Sequence, residues 1–348
     1  MSLAVRPASL PEDEEELIAV LERNLPGAQM RAHFRWRHEA NPAGPAWSWV
    51  IYDSRDGAIR AMTSLFPRRM YWDRKLVTCG QVGEFVVDGG YRSLGPAVML
   101  QRATFLPVDS GALTFCYDCP PHDQGMSTFV RLGMRPSCEL TRYAIPLRSD
   151  EVLRKRLGKR AWTRPVIAGA NLVLCMRRAR YLRPGLEIGA FQEGFGDEFN
   201  HLDNSVPSAG VVRSSRSAEL LNWRYRHRSD LDIQVLVARR AGELLAFLAF
   251  IIYPENRASV LDLFGRELNA AGLPLLGAAI ELCRRRKVFC LEGYCTDTGE
   301  LKPLFEAAGF RAREKAASVV AYAKSGEISG NNWSSSVSWP LGHAELNA

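Results

Sequence analysis

The chain has 348 residues, more than one ordinary hydrophobic core accommodates, so two domains are expected. With 47% hydrophobic and 24% charged residues its composition is that of a globular protein, which argues against extensive disorder. The net charge of +7 fits an anionic partner, whether a phosphorylated cofactor, a nucleic acid or an anionic membrane surface, and does not choose among them.

The start, Met1 to Pro7, runs directly into the acidic stretch Glu12 to Glu16, with no basic segment leading into an apolar one, so secretion is not indicated. The longest strongly apolar run, Pro165 to Met176, is shorter than the roughly 20 residues that span a bilayer, and no transmembrane helix is expected. The eight cysteines are scattered through apolar stretches, which favours reduced thiols and a cytoplasmic location. Cys116 and Cys119 have the spacing of a metal knuckle, but no second such pair exists and Cys290 and Cys295 are wrongly spaced to complete one. Buried thiols and no metal are therefore expected.

In chain order, Phe34-Arg-Trp36-Arg37-His38 ends a helix. It is followed by a strand from Trp47 to Tyr52, a turn at Ser54 to Gly57 and a second strand from Ala58 to Leu65, a hairpin pattern. Strand Val82 to Val87, a helix through Met99 and strand Leu113 to Tyr117 come next. The same order then recurs. Leu221-Asn-Trp223-Arg224-Tyr225 precedes strands Ile233 to Ala238 and Leu244 to Tyr253, then strand Ser259 to Phe264, helix Leu275 to Arg286 and strand Val288 to Tyr294. The sharpest echo closes each half: Phe129-Val-Arg-Leu-Gly133-Met134-Arg135 and Phe305-Glu-Ala-Ala-Gly309-Phe310-Arg311, both reading as helix ends with glycine in the left-handed position after the last turn.

This duplication divides the chain into a first half at 1–148, a basic and apolar connector at 149–184, a second half at 185–324 and a tail at 325–348. The connector carries Arg154-Lys-Arg156, Lys159-Arg160 and Arg177-Arg178-Ala-Arg180 around the apolar run. It is read as a linker helix packed on both domains, with weak contact to an anionic membrane through 154–180 as the alternative.

The chemistry-bearing segment follows strand Val82 to Val87. Asp88-Gly-Gly-Tyr-Arg92-Ser93-Leu94-Gly95-Pro96-Ala97 is a glycine-rich turn between a strand and a helix start, which aims backbone N–H groups and the positive end of the helix dipole at an anion. No Lys-Ser/Thr follows the glycine and the spacing is not GxGxxG, so the common nucleotide-binding loops recede.

What the segment matches is R-x-x-G-x-A, and here the chain resembles the GNAT acyltransferases, whose pyrophosphate loop is written [QR]-x-x-G-x-[GA] between the fourth strand and the next helix. Val5-Arg-Pro-Ala8 before an acidic helix looks like a GNAT start, and Phe129 to Met134 stands where the family often has Y-x-x-x-G-F. The resemblance covers Val5 to about Leu147. It implies an α/β (α+β) fold of two tandem GNAT-like domains, each a mixed, mostly antiparallel twisted sheet flanked by helices. It also implies acetyl-coenzyme A or another acyl-coenzyme A as co-substrate, held by Phe85, Val86, Val87 and the loop from Arg92 through Ser93, Leu94, Gly95 and Pro96 to Ala97.

Two departures qualify it. Pro96 has no N–H, so the loop offers one donor fewer, which Arg92 offsets by charge-assisted contact with phosphate. The second half, at Asp262 to Ala271, lacks the loop altogether, so it is not expected to bind coenzyme A in the usual way.

Direct transfer of an acyl group to an amine needs orientation and a general base, with no covalent enzyme intermediate. Glu84, on the strand entering the loop, stands where some GNAT members carry a catalytic glutamate. The family's acid tyrosine is replaced by Phe129, so the nearest candidates for proton work are Tyr117 and Asp118 at the end of the fifth strand and His122 and Asp123 just after it, with His122 having the natural pKa of a base at neutral pH. Asp118 and Trp36 are also candidates for the acceptor site, although a shared packing role for the repeated Trp-Arg pairs is the stronger reading.

The function expected is an acyl-coenzyme A-dependent N-acyltransferase whose partners are an acyl-coenzyme A and an amine-bearing acceptor, with nucleic acid not expected. The alternatives are a non-catalytic module for anionic lipid or nucleic acid, and a Fem-like aminoacyltransferase, since Fem-type enzymes and N-myristoyltransferases share the tandem arrangement.

Overall fold

The structure is a computed structural model and describes residues 3–25, 30–120, 123–148, 185–228, 230–296 and 299–324. The connector and tail singled out in the sequence lie outside the described residues.

The first half comprises β1 (Leu3–Pro7), α1 (Glu14–Asn24), α2 (Met30–His38), β2 (Trp47–Asp53), β3 (Ile59–Trp72), β4 (Lys75–Val87), α3 (Leu94–Ala103), α4 (Leu106–Asp109), β5 (Phe115–Asp118), α5 (Asp123–Arg131) and β6 (Cys138–Pro146). The second runs β7 (Glu187–Ala190), α6 (Asp197–Ser205), β8 (Val212–Ser214), α7 (Ala218–Tyr225), β9 (Ile233–Arg240), β10 (Glu243–Ile252), β11 (Arg257–Gly265), α8 (Leu268–Arg285), β12 (Cys290–Thr296), α9 (Leu301–Ala308) and β13 (Arg311–Ala323). Apart from the short β8 and the one-turn α4, the order of strands and helices is the same in both, as the repeat predicts.

Local chemistry accounts for several of these elements. Helix α1 begins with Glu14, Glu15 and Glu16 and carries Arg23 in its last turn, which complements the helix dipole at both ends. It buries Leu17, Ile18, Val20 and Leu21 against Val50, Met62 and Val86 of the sheet. The two F-x-x-x-G segments form the same helix stop. Gly133 and Gly309 take φ of 82° and 94°, and the next N–H, of Met134 or Phe310, returns to the carbonyl of Phe129 or Phe305 at 3.0 and 2.9 Å.

Strand β3 extends past the Leu65 end expected from sequence, through Pro67 to Trp72. Pro67 is tolerated because β2 pairs with β3 only as far as Leu65, so one side of the strand has no ladder to break there. Helix α8 likewise starts earlier than the Leu275 expected from sequence, at Leu268, with a buried Pro274 inside it.

All strands among the described residues belong to one 13-stranded sheet, ordered β1-β2-β3-β4-β5-β13-β6-β12-β11-β10-β9-β7, with β8 pairing off this path to β3. The order contains an exchange. Strand β6, which ends the first half in sequence, pairs with β12 from Cys290↔Pro146 to Thr296↔Leu140, and β13, which ends the second, pairs with β5 from Val320↔Asp118 to Ala323↔Phe115. The cores follow the pairing. Tyr143, Ile145 and Leu147 pack into the core of the second half, whereas Ala317 and Val319 pack beside Phe115 in the first.

Each half covers both sheet faces. In the first, α1 and α2 lie on one face and α3, α4 and α5 on the other; in the second, α6 and α7 oppose α8 and α9. No helix among the described residues is long and apolar enough to cross a membrane.

Candidate functional site

Strands β4 and β5 run parallel and pair only at Gly80↔Cys116 and Gln81↔Tyr117. Beyond Gln81 the two strands separate, and β4 continues through Val82 to Val87 with its edge toward β5 left without a ladder. The cleft so formed leads along β4 into the glycine-rich turn and α3.

The turn is held from three sides. Asp88 receives hydrogen bonds from Arg23 at 2.7 and 2.8 Å and from Asn24 at 2.7 Å. Burial works to raise its carboxyl, but these bonds and the charges of Arg23 and Arg60 hold it below the usual range. The Tyr91 hydroxyl donates to Asp53 at 3.2 Å, and the Arg60 guanidinium lies 5.2 Å from the Tyr91 ring centre. Arg92 is exposed and folds back on the turn, donating from Nε to the carbonyl of Val87 at 3.0 Å.

Ser93 caps α3 in an extended conformation, and no acidic residue occupies the first turn. The N–H groups of Ser93, Leu94 and Gly95 have no partner within the helix, and Pro96 lacks the fourth. A Cβ built on Gly95 would meet nothing within 4 Å, and its φ is not in the left-handed region. The fold therefore gives no reason for glycine at 95.

Glu84 sits within β4 at a β-bulge: Ser64 pairs with Gly83 and Met62 with Val86, so β4 carries one residue more than β3. Its φ of 51° is unusual for a non-glycine residue and costs about 1 kcal/mol or more. Three side chains hold it. Arg37 Nη1 donates to Oε1 at 2.8 Å, while Oε2 lies 2.8 Å from His38 Nε2 and 3.3 Å from Ser64 Oγ. The Glu84 side chain is only 4% exposed and that of His38 fully buried. Burial alone would raise the Glu84 carboxyl, but His38 and Arg37 outweigh it and hold the group below the usual glutamate range. Glu84 is thus an ionised anchor beneath the cleft, with both oxygens engaged.

Asp118 is placed differently. It ends β5 where the strands part, and alternation sends its side chain to the same face as Cys116, the face of α3, opposite to Tyr117. Burial pushes its carboxyl up to about 7, against the lowering effect of a hydrogen bond from the Cys119 N–H at 2.7 Å. The residue nonetheless stays partly open to solvent. Tyr117 is 1% exposed and packs with Met70, Cys79, Phe115 and Val212 in the core. Burial likewise raises the Cys116 thiol well above its usual range. His122 lies outside the described residues.

Trp36 stacks on Trp223, ring centres 4.5 Å apart, with the Arg228 guanidinium 5.0 Å from its centre. The contact joins the two halves through the repeated Trp-Arg segments and covers the ring that was a candidate for substrate contact. The residue after each pair also repeats its role: His38 meets Glu84, and the Tyr225 hydroxyl approaches Asp262 of β11 at 3.5 Å. His38 was not singled out from the sequence, although its place next to a repeated Trp-Arg and opposite a strand carboxylate was the available signal.

No protein-family profile matches the chain, and no curated protein is similar to it in sequence. Its shape is shared with solved structures. A conserved protein of unknown function from Enterococcus faecalis V583, described as a probable N-acyltransferase, superposes with a TM-score of 0.66 at 12% identity, covering 93% of this chain and 72% of that one. A GCN5-related N-acetyltransferase from Anabaena variabilis gives 0.62 at 11% identity, covering 92% and 72%. N-myristoyltransferase of Saccharomyces cerevisiae, solved with bound myristoyl-CoA, gives 0.62 at 12% identity, covering 92% and 79%. The chain has the tandem GNAT fold. The cleft between β4 and β5 ends at the turn where the sequence predicts a pyrophosphate loop. Among the described residues no cluster of His, Cys, Asp and Glu could hold a metal ion.

Proposed function

We propose that the chain transfers an acyl group from a coenzyme A thioester to an amine, with the cofactor in the first half. The observation that carries this reading is the continuity of the cleft: a stretch of β4 from Val82 to Val87, unpaired on its β5 side, leads directly to a helix start whose first N–H groups have no partner within the helix and whose Gly95 leaves space.

Each part of the cleft suits one part of such a donor. The open edge at Phe85, Val86 and Val87 offers backbone N–H and carbonyl groups to the amides of the pantetheine arm, as a strand edge does to an added strand. Ser93, Leu94 and Gly95 would donate to the pyrophosphate, aided by the dipole of α3, with Arg92 as counter-charge once it releases Val87.

Asp118 is the base in this reading. A carboxyl near 7 at the parting of the strands accepts a proton from the acceptor's ammonium close to neutral pH. The neutral amine then attacks the thioester carbonyl to form the C–N bond, the tetrahedral intermediate collapses with cleavage of the C–S bond, and the departing thiolate takes the proton that the attacking nitrogen gives up, leaving the amide and free coenzyme A. Glu84 holds the bulge in place through Arg37, His38 and Ser64, a positioning role.

The test is thermal. Acetyl-, octanoyl- or myristoyl-coenzyme A should raise the melting temperature of the protein, and Gly95→Trp should remove the effect. No shift with any of the three thioesters would overturn the proposal.

A further inference from the structure

The second half repeats the parting of strands without repeating the loop. Strands β11 and β12 pair only at Arg257↔Cys290, Ala258↔Leu291 and Ser259↔Glu292. Past them lies a cavity of about 400 Å³. Most of its wall is apolar, with Val260, Leu263, Phe264, Leu268 and Phe305 prominent. One side is made by the segment carrying β8, which pairs with β3, so the cavity is braced against the first half.

The polar part of the wall is formed chiefly by arginines, with Asp262 and Glu300 beside them. Arg213 and Arg216 line the cavity, with guanidiniums 5.3 and 4.9 Å from the Phe264 ring centre. Both charges are matched, Arg213 by Asp203 at 2.5 Å and Arg216 by Asp262 at 3.2 Å. Yet the Nε–H of Arg213, on a side chain 4% exposed, is buried without an acceptor. So is the Nε–H of Arg266, a third arginine on the wall, whose other end pairs with Glu243 at 2.6 Å. Native proteins rarely leave such donors unmet unless a ligand, ion or water meets them.

We infer that this cavity binds a small apolar molecule carrying one carboxylate, its body against Leu263, Phe264, Leu268 and Phe305 and its oxygens accepting from the unmet arginine donors. The charges select among head groups. An ammonium could meet Asp262 or Glu300 on the wall but would leave both Nε–H donors unmet, while a phosphate dianion would face those two carboxylates and three guanidiniums already matched by Asp203, Asp262 and Glu243. A single carboxylate supplies acceptors at the lowest added charge. Burial, which lowers the affinity of Arg213 for its proton, adds to the advantage of a nearby anion. The volume lies near the small end of the range for small-molecule sites, roughly 300–1,000 Å³, and suits a medium-chain acid. The inference does not depend on coenzyme A binding in the first half.

Titration calorimetry of the full chain with decanoate and decanamide tests it. Decanoate should bind one to one and at least tenfold more tightly than the amide, with an affinity unchanged by saturating coenzyme A or by Gly95→Trp. Arg266→Gln, near the solvent, should weaken decanoate at least fivefold and the amide less than twofold. Leu261→Trp, which fills the cavity, should abolish both, and if that variant does not fold, Arg266→Gln still decides. Equal affinity for acid and amide, no saturable decanoate binding, or competition by coenzyme A would each overturn the inference.

Discussion

Trp36 and Trp223 hold the two halves by a reciprocal pair of bonds: Trp36 Nε1–H donates to the carbonyl of Trp223 at 3.0 Å, and Trp223 Nε1–H to that of Trp36 at 3.1 Å. Their rings stack between these bonds at an interplanar angle of 15°. The stack contributes about 0.5–1.5 kcal/mol beyond area burial, and each hydrogen bond about 1 kcal/mol. Trp36→Ala should therefore destabilise the protein by about 2–4 kcal/mol in urea unfolding. In a double-mutant cycle with Trp223→Ala the two should couple by at least about 1 kcal/mol. Additive single effects would show that the rings meet without holding.

Glu84 predicts an acid limit to stability. Its carboxyl is held below the usual glutamate range in the folded chain and returns to roughly 4.3 on unfolding. Between those values the unfolded state binds more protons. The contribution is thus full above the unfolded value and lost as pH falls through the folded one. Glu84→Gln leaves a buried His38 and Arg37 without their anion, and should cost about 3 kcal/mol or more at pH 7. Its urea midpoint should also fall less steeply than that of the parent between pH 5 and pH 3. Parallel slopes would remove Glu84 from this account.

For Asp118 the sign is opposite. A carboxyl raised to about 7 keeps its proton in the folded chain after the unfolded chain has lost it. Its contribution to stability is full below the unfolded value near 3.9 and lost as pH rises through about 7. Asp118→Asn should flatten stability between pH 4 and pH 8. The same change should lower amide formation by about 100-fold or more, the usual effect of a general base. In the parent, kcat/KM should rise with pH and level off above about 7. A profile unaltered in Asp118→Asn would rule the residue out as base.

Gly95 separates fold from ligand. Because a Cβ there meets nothing within 4 Å, Gly95→Ala should leave the free protein as stable as the parent or more stable by up to about 1 kcal/mol. Acetyl-coenzyme A should nonetheless bind about tenfold more weakly, a loss of about 1.4 kcal/mol. Unchanged affinity in calorimetry would mean that the phosphates do not lie against residue 95.

What the sequence revealed was local. The two helix stops at Gly133 and Gly309, the hairpins after the Trp-Arg pairs and the turn from Asp88 to Ala97 each depend on residues within a few positions of one another, and all were legible. What stayed hidden depends on residues far apart. Nothing in the composition of β6 or β13 says which strand either will pair with, because the exchange is decided by registers such as Gly293↔Tyr143 and Ala321↔Tyr117, about 150 and 200 positions apart. The contrast between Glu84 and Asp118 was hidden for the same reason. Two carboxylates on neighbouring strands look alike in sequence, and only burial with Arg37 and His38 or without them separates an ionised anchor from a group that titrates near neutrality.

The exchange of β6 and β13 has a consequence for how the protein comes into being. On a ribosome the first half emerges whole in sequence but unfinished in space, since the strand that belongs beside β5 is Val320 to Ala323, among the last described residues to be made. Until then β5 presents a bare edge, and β6 waits for β12. Such an edge is a template for any passing strand, and contacts between distant parts of a chain form slowly. The nascent chain therefore carries open strand edges from the completion of β5 until β13 is made, and two half-made copies, both lacking β12 and β13, can offer each other only unmatched edges.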